Sequence, residues 1–157
     1  MDLASDITGL CRHLARELSR LEWPAAAGVT VLCEEDGDAW AKAAEALSTA
    51  DGGVALMVRA GQATPAGLDP DENLVLELSV ELAAQEVPAL NRLDPSRMTA
   101  LQAAEFAADA LASDAGRWRL DSLRPAQVSP DGGETRIAVC TASLTTSITL
   151  DTKPKDL

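Results

Sequence analysis

The side chains that most often perform catalysis are scarce and scattered in this sequence. It has three cysteines, no tyrosine and a single histidine, His13. Cys11 is the cysteine nearest to His13, but it lies two positions away, so in a helix the two side chains point to different sides. The serines lack the context of a nucleophile elbow. We predict that the protein is not an enzyme and has no catalytic residue.

Metal and cofactor sites are not predicted either. A zinc site needs four closely spaced Cys or His ligands, and the Cys and His residues here are dispersed. Two acidic runs, residues 34–38 and 69–73, combine carboxylates with a turn former, but neither has the alternating ligands and distal Glu of a calcium loop. The glycine pairs at 52–53 and 132–133 lack the Lys and Ser or Thr that follow in a phosphate-binding loop. We interpret all four segments as turns.

The charge balance limits the class of partner. Lys and Arg number 13 against 25 Asp and Glu, which gives a formal net charge of -12. An acidic surface repels phosphate backbones and anionic membranes, so we expect no specific nucleic-acid binding and no membrane binding. Arg117, Arg119 and Arg124 cluster around Trp118. We interpret that cluster as a solvated strand end beside a half-buried Trp rather than as a phosphate site.

The cysteines and the N-terminus predict a cytoplasmic protein. Cys11, Cys33 and Cys140 have no short pairing interval and their number is odd, which argues against a disulfide framework. The first six residues carry Asp where a secretory signal needs basic residues. No segment approaches the length of about 18 apolar residues that a membrane span needs. A reducing compartment is therefore expected.

Hydrophobic periodicity predicts three helices. From Leu3 to Leu21, apolar residues recur at intervals of three and four, as on one face of a helix. A second helix follows Asp38 as its N-cap, and a third begins at Thr99, which forms a capping box with Gln102. In the second helix we expect one shared face formed by Trp40, Ala43, Ala44 and Leu47.

Five strands are predicted from apolar runs and from alternation. The runs are residues 29–33, 54–59, 73–87, 118–128 and 135–150, and the last two flank a turn at 129–134. Gly61 to Glu72 is rich in Gly and Pro, which predicts a surface loop. Residues 29–59 have the order strand, helix, strand, which is often a parallel unit.

These elements predict an α+β fold in a single domain, residues 1–157, with a flexible tail at residues 151–157. Three helices pack against a mixed sheet of about five strands. In the long strand, Leu74, Leu76, Leu78, Val80 and Leu82 alternate with a partly acidic face. If the helices cover one face of the sheet, then Glu77, Ser79 and Glu81 lie on the other face or at an assembly surface.

Several segments together resemble the small tail-terminator and tail-completion proteins of tailed bacteriophages and prophages. They are Gly28-Val29-Thr30-Val31-Leu32, then Gly37-Asp38 and the helix to Leu47, the strand Gly53 to Arg59, the long strand Asn73 to Val87, the helix from Thr99 to Ala112, and the hairpin turn Pro130 to Glu134. The resemblance spans almost the whole chain. It lies in topology and hydrophobic spacing, without a diagnostic motif.

The resemblance implies a homo-oligomeric ring, commonly a hexamer, that caps the tail tube, stops its polymerisation and faces the head-proximal connector. The implied partners are other copies of the chain, the tail tube protein and the head–tail connector protein. The implied location is the host bacterial cytoplasm during assembly and the virion tail or neck afterwards. It implies no catalytic residue and no cofactor.

A ring subunit needs two different contact patches, which strand edges and loops readily supply. The interface candidates are Asp69, Asp71, Glu72, Glu77, Glu81, Trp118, Arg119 and Asp131. If Glu77, Glu81 and the acidic loops line a lumen, like charge lets DNA pass without sticking. The alternative is a small acidic binding or inhibitor-type module that acts on a basic protein partner.

Overall fold

The computed structural model describes residues 3–48, 53–113, 117–129 and 135–150. The strands are β1 (Val29–Cys33), β2 (Val54–Leu68), β3 (Leu74–Glu86), β4 (Arg119–Val128) and β5 (Ile137–Leu150). The helices are α1 (Leu3–Ser19), α2 (Trp23–Ala26), α3 (Ala39–Ser48), α4 (Pro88–Asn91) and α5 (Ala100–Ala112). Asp131, most of the predicted hairpin turn and the predicted tail lie outside the described residues.

One mixed sheet with the strand order β1-β2-β3-β5-β4 connects these elements. β1 pairs with β2 in parallel, and the other three pairs are antiparallel. The predicted α+β fold is confirmed, since three helices of several turns pack on a five-stranded mixed sheet and α2 and α4 have only four residues each. The parallel strand–helix–strand unit from β1 to β2 is confirmed as well.

The helices cover both faces of the sheet. α1 and α5 pack on one face, where the main core contains Leu14, Leu18, Leu56, Leu82 and Leu144. α3 packs on the opposite face over β1 and β2, with a smaller core of Leu32, Ala39, Ala43, Ala55, Met57 and Ala83. Neighbouring β2 residues belong to different cores because side chains alternate along a strand. In the described part of the chain, no helix is long and apolar enough to cross a membrane.

Alanine determines how closely α5 approaches the sheet. Its buried face consists of Ala100, Ala103, Ala104, Ala107, Ala108 and Leu111. The predicted capping box is confirmed: the Thr99 hydroxyl accepts from Gln102 N at 3.2 Å and Gln102 Oε1 accepts from Thr99 N at 3.0 Å. These two bonds satisfy N–H groups that have no partner inside the helix.

β2 continues through most of the segment that was predicted to be a loop. It runs to Leu68, and only residues 69–73 form the turn before β3. β2 accommodates its Gly and Pro residues through register shifts relative to β3, which occur after Ala60 and after Pro65. Because β1 pairs only as far as Val58, the rest of β2 is a sheet edge, where a proline costs no ladder bond.

The predicted face of α3 is wrong for two residues. Ala39 and Ala43 are buried against the sheet, whereas Trp40 is 54% exposed and Ala44 is exposed. The helix turns its small alanines towards β1 and β2, and this close packing leaves Trp40 outside. The alanine-rich composition predicted helix α3, but it did not predict which of the two apolar sides of the helix packs on the sheet.

A fully buried carboxylate ties the end of β3 to the start of α5. Glu86 is 0% exposed, and its Oε1 accepts from Arg92 Nε at 2.7 Å. Its Oε2 accepts from the backbone N–H of Ala100, the first residue of α5. A carboxylate at this position satisfies a buried N–H and interacts favourably with the positive end of the helix dipole.

Replacing Glu86 with Gln should lower the free energy of unfolding by about 1–3 kcal/mol, because one of the two donors then faces an amide NH₂ group. The matched control is Glu17→Gln. The Glu17 side chain is 49% exposed and pairs with Arg20, which is 73% exposed, so its loss should cost less than about 1 kcal/mol. Urea denaturation measures both values, and equal losses in the two variants would contradict this role for Glu86.

Candidate assembly interface

The turn between β2 and β3 is built by Asp69 and presents Asp71 and Glu72. Asp69 Oδ1 accepts from the backbone N–H groups of Asp71 at 2.9 Å and Asn73 at 2.8 Å. Glu72 has a φ of 65°, a left-handed conformation that costs a non-glycine residue roughly 1–2 kcal/mol. Asp71 and Glu72 are both exposed. Of the three predicted carboxylates, Asp69 is therefore structural and the other two point their charge to solvent.

A bulge in β2 lies between Ala60 and Ala63, before the strand reaches this turn. Ser79 Oγ accepts from the backbone N–H of Gln62 at 2.6 Å and donates to the Gln62 carbonyl at 3.3 Å. A Cβ atom on Gly61 would lie only 2.1 Å from Ser79 Oγ and 3.0 Å from the Ser79 carbonyl oxygen. The close approach of β2 to β3 therefore requires glycine at position 61.

The sheet face opposite α1 and α5 carries Glu77 and Glu81, as predicted, together with Arg59. Glu81 Oε2 lies 3.0 Å from Arg59 Nη2 on β2. Glu77 lies close enough to Arg119 to raise its pKa, although Asp121 contributes more. Glu81 thus has an arginine partner on a neighbouring strand, whereas Arg119 forms its ion pair with Asp121. The hypothesis that Glu77 and Glu81 line a lumen stays a prediction.

On β4, Arg119 belongs to a local network instead of extending freely. Its Nε lies 3.0 Å from Asp121 Oδ1, and the Thr145 hydroxyl donates to Asp121 Oδ2. The hydroxyl of Thr145, followed by the Arg119 guanidinium, lowers the pKa of Asp121. The network joins β4 to β5 across the strand bulge between Leu120 and Ser122.

The predicted half-exposed tryptophan is buried. Trp118 is 7% exposed and belongs to the main core, so it is not available as an interface residue. Trp23 packs against Phe106 with ring centroids 5.9 Å apart, and Trp40 is the most exposed of the three tryptophans. Flanking arginines suggested exposure, but the residue directly before β4 faces the core while Arg119 is exposed.

A groove at the far end of the sheet from the 69–73 turn was not predicted. Its volume is about 570 Å³, and its walls come from the β3–α4 junction and the β4–β5 strand ends. Arg92 and Arg136 are its exposed basic residues. Arg92 and Arg136 are far apart in the sequence. They come together because β3 and β5 pair with Glu86 opposite Ala138, and this register could not be read from local sequence patterns.

A second groove, of about 400 Å³, lies along the free edge of β1 between α1 and α3. Its ionic groups are largely paired. Arg12 Nε lies 3.2 Å from Asp36 Oδ1, and Lys42 Nζ lies 3.0 Å from Asp38 Oδ2. The hydrogen bond from Lys42 lowers the pKa of Asp38. Asp36 and Asp38, which belong to the acidic run at 34–38, therefore form exposed ion pairs with residues of the neighbouring helices.

The residues that could do chemistry are apart. His13 is exposed on α1, whereas Cys11 is buried in the core. Burial raises the pKa values of Cys33 and Cys140 and raises that of Cys11 to about 11, so these thiols are poor nucleophiles at neutral pH. Among the side chains that the structure describes, no three His, Cys, Asp or Glu residues are grouped to hold a metal ion.

No protein-family model matches the chain, and no curated protein matches it significantly.

Replacing Trp118 with Ala should cost about 3–5 kcal/mol of stability, because it removes a large buried side chain from the core. At protein concentrations where the variant is still folded, self-association should be unchanged. Trp40→Ala is the control and should change stability by about 0.5 kcal/mol or less. Denaturation curves and light scattering test both expectations; weaker association of folded Trp118→Ala would contradict a purely core role.

Stability should fall as the pH rises from 9 towards 11. The folded chain holds Cys11 as a neutral thiol with a pKa of about 11, above its ordinary value of 9.0, so only the unfolded state ionises easily in this range. The stabilisation is complete below pH 9, and at most about 3 kcal/mol is lost by pH 11. Urea midpoints measured for the unmodified chain and for Cys11→Ala test this. Identical slopes against pH would show that Cys11 is not responsible.

Proposed function

We propose that this chain is a structural assembly protein of a phage-like tail. In this proposal, copies associate head to tail into a closed ring that caps the tail tube and joins it to the head-proximal connector. The partners are other copies of the chain, the tail tube protein and the connector protein. Assembly takes place in the host bacterial cytoplasm, and the protein remains in the virion tail or neck.

The main support for this proposal is that the two ends of the sheet present different groups. One end has a turn with exposed carboxylates beyond an uncovered edge of β2, and the other has an arginine-lined groove. A subunit with two different patches forms heterologous contacts, and such contacts close into a ring when the rotation between neighbours allows it. The observed element order supports the same function, because it agrees with the segments that resemble tail-terminator proteins.

The proposed role includes no catalysis. The positions of His13 and the thiols support this part of the proposal, because the exposed His13 does not lie with any of the three buried cysteines among the described side chains. The outer face of β3 supports a structural role as well. Its Glu81 pairs with Arg59 of the neighbouring strand β2, a contact within the sheet itself.

The acidic binding or inhibitor-type module remains the second candidate. The exposed Asp71 and Glu72 favour it, because carboxylates at a projecting turn can mimic an anionic ligand of a basic protein. The two candidates differ in stoichiometry. A ring subunit associates with itself, whereas an inhibitor-type module binds a different protein in a 1:1 complex.

Light scattering after gel filtration should find an assembly of about six copies of the 16.4 kDa chain as the concentration rises. The ring should be favoured at moderate ionic strength, where long-range repulsion between acidic subunits is screened. A strict monomer at every concentration and at two salt levels would contradict the ring and favour the acidic module. A pull-down with the monomer would then identify its basic partner.

A further inference from the structure

The two ends of β3 carry surfaces of opposite charge. The first surface, here called the acidic knob, consists of Leu68, Pro70, Asp71 and Glu72 at the turn before β3. The second, here called the arginine socket, is the groove lined by Val87, Pro88, Leu90, Arg92 and Arg136 beyond the end of β3. Each surface combines apolar residues with two like charges.

The acidic knob has groups available for a partner. None of the ion pairs among the described residues involves Asp71 or Glu72. Leu68 is 65% exposed, although it lies within β2. An exposed leucine beside two carboxylates that have no ion pair within the described part of the chain is a small amphipathic surface that a contact could bury.

The arginine socket is partly preorganised. Arg92 donates its Nε–H to buried Glu86, which holds the side chain in place and leaves the two Nη groups of the guanidinium for another acceptor. Arg136 is exposed and takes part in no ion pair among the described side chains. Val87, Pro88 and Leu90 are partly buried and supply apolar walls.

The knob and the socket of one molecule cannot meet. Leu68 pairs with Leu74 at the first residue of β3, whereas Glu86, its last residue, pairs with Ala138 beside the socket. The 13 residues of β3 span about 40 Å at roughly 3.3 Å per residue. A contact between the two surfaces therefore joins two molecules.

We infer that the acidic knob of one copy docks into the arginine socket of the next copy. The inference rests on the proposed function and names the contact that builds the ring. Asp71 and Glu72 would bind the guanidinium groups of Arg92 and Arg136 through charge-assisted hydrogen bonds, and Leu68 would contact the apolar walls. The contact is heterologous, so each copy gives its knob to one neighbour and its socket to the other.

Charge exchange tests this contact. The knob variant is Asp71→Lys/Glu72→Lys and the socket variant is Arg136→Glu, which leaves the bond between Glu86 and Arg92 intact. Each variant alone should self-associate at least about tenfold more weakly than the unmodified chain, because like charges then face each other. Mixed in equal amounts, the two variants should form at least 1:1 pairs, since the unmodified knob of the socket variant then finds the unmodified socket of the knob variant.

The control is Glu45→Lys/Asp109→Lys, which changes the net charge as much as the knob variant at exposed positions on α3 and α5. It should assemble at least as well as the unmodified chain. Circular dichroism and urea midpoints establish that all variants are folded, and light scattering reports their mass. If the knob and socket variants assemble like the unmodified chain, or if their mixture stays monomeric, the inference is wrong while the ring stands. A monomeric unmodified chain would overturn both.

Discussion

The alternation of side chains along β3 is the constraint on which the rest of the structure depends. β3 is hydrogen-bonded on both sides, to β2 and to β5, over nearly its whole length. Val80 and Leu82 lie in the core under α1 and α5, whereas Glu81 and Ala83 belong to the opposite face. A shift of one residue would bury the carboxylates and expose the leucines. The hydrophobic pattern of this strand therefore fixes the register of both neighbours.

The same strand also determines the distance between the two ends of the molecule. Its first residue follows the 69–73 turn, and its last residue, Glu86, binds both Arg92 and the start of α5. The buried carboxylate of Glu86 thus links the position of α5 to the position of Arg92 in the wall of the groove. Movement of α5 relative to the sheet would leave the N–H group of Ala100 without its acceptor, a cost that keeps this end rigid. The turn at the other end is held by local bonds from the N–H groups of Asp71 and Asn73 to the Asp69 carboxylate.

Local patterns predicted most of the fold, whereas the candidate site depends on pairings that local patterns do not contain. Helical periodicity, the capping box at Thr99 and the alternation of β3 each depend on residues a few positions apart, so they are readable in sequence. The partnership of Arg59 with Glu81 needs the strand register, and the proximity of Arg92 and Arg136 needs the whole sheet. Gly61 and Pro65 indicated a loop because a bulged edge strand and a loop use the same residues.

The acidic composition restricts how such subunits can associate. Each chain has a formal net charge of -12, so two copies repel each other at distances beyond their contacts. Salt screens that repulsion over a Debye length of about 8–10 Å at physiological ionic strength, but screens a partly buried contact pair much less. In the proposed ring, attraction comes from short-range pairs at the ends of the sheet. Glu81 on the outer face of β3 already pairs with Arg59, whereas Arg136 has no ion pair among the described side chains, so an acidic neighbour would gain more from contact with Arg136.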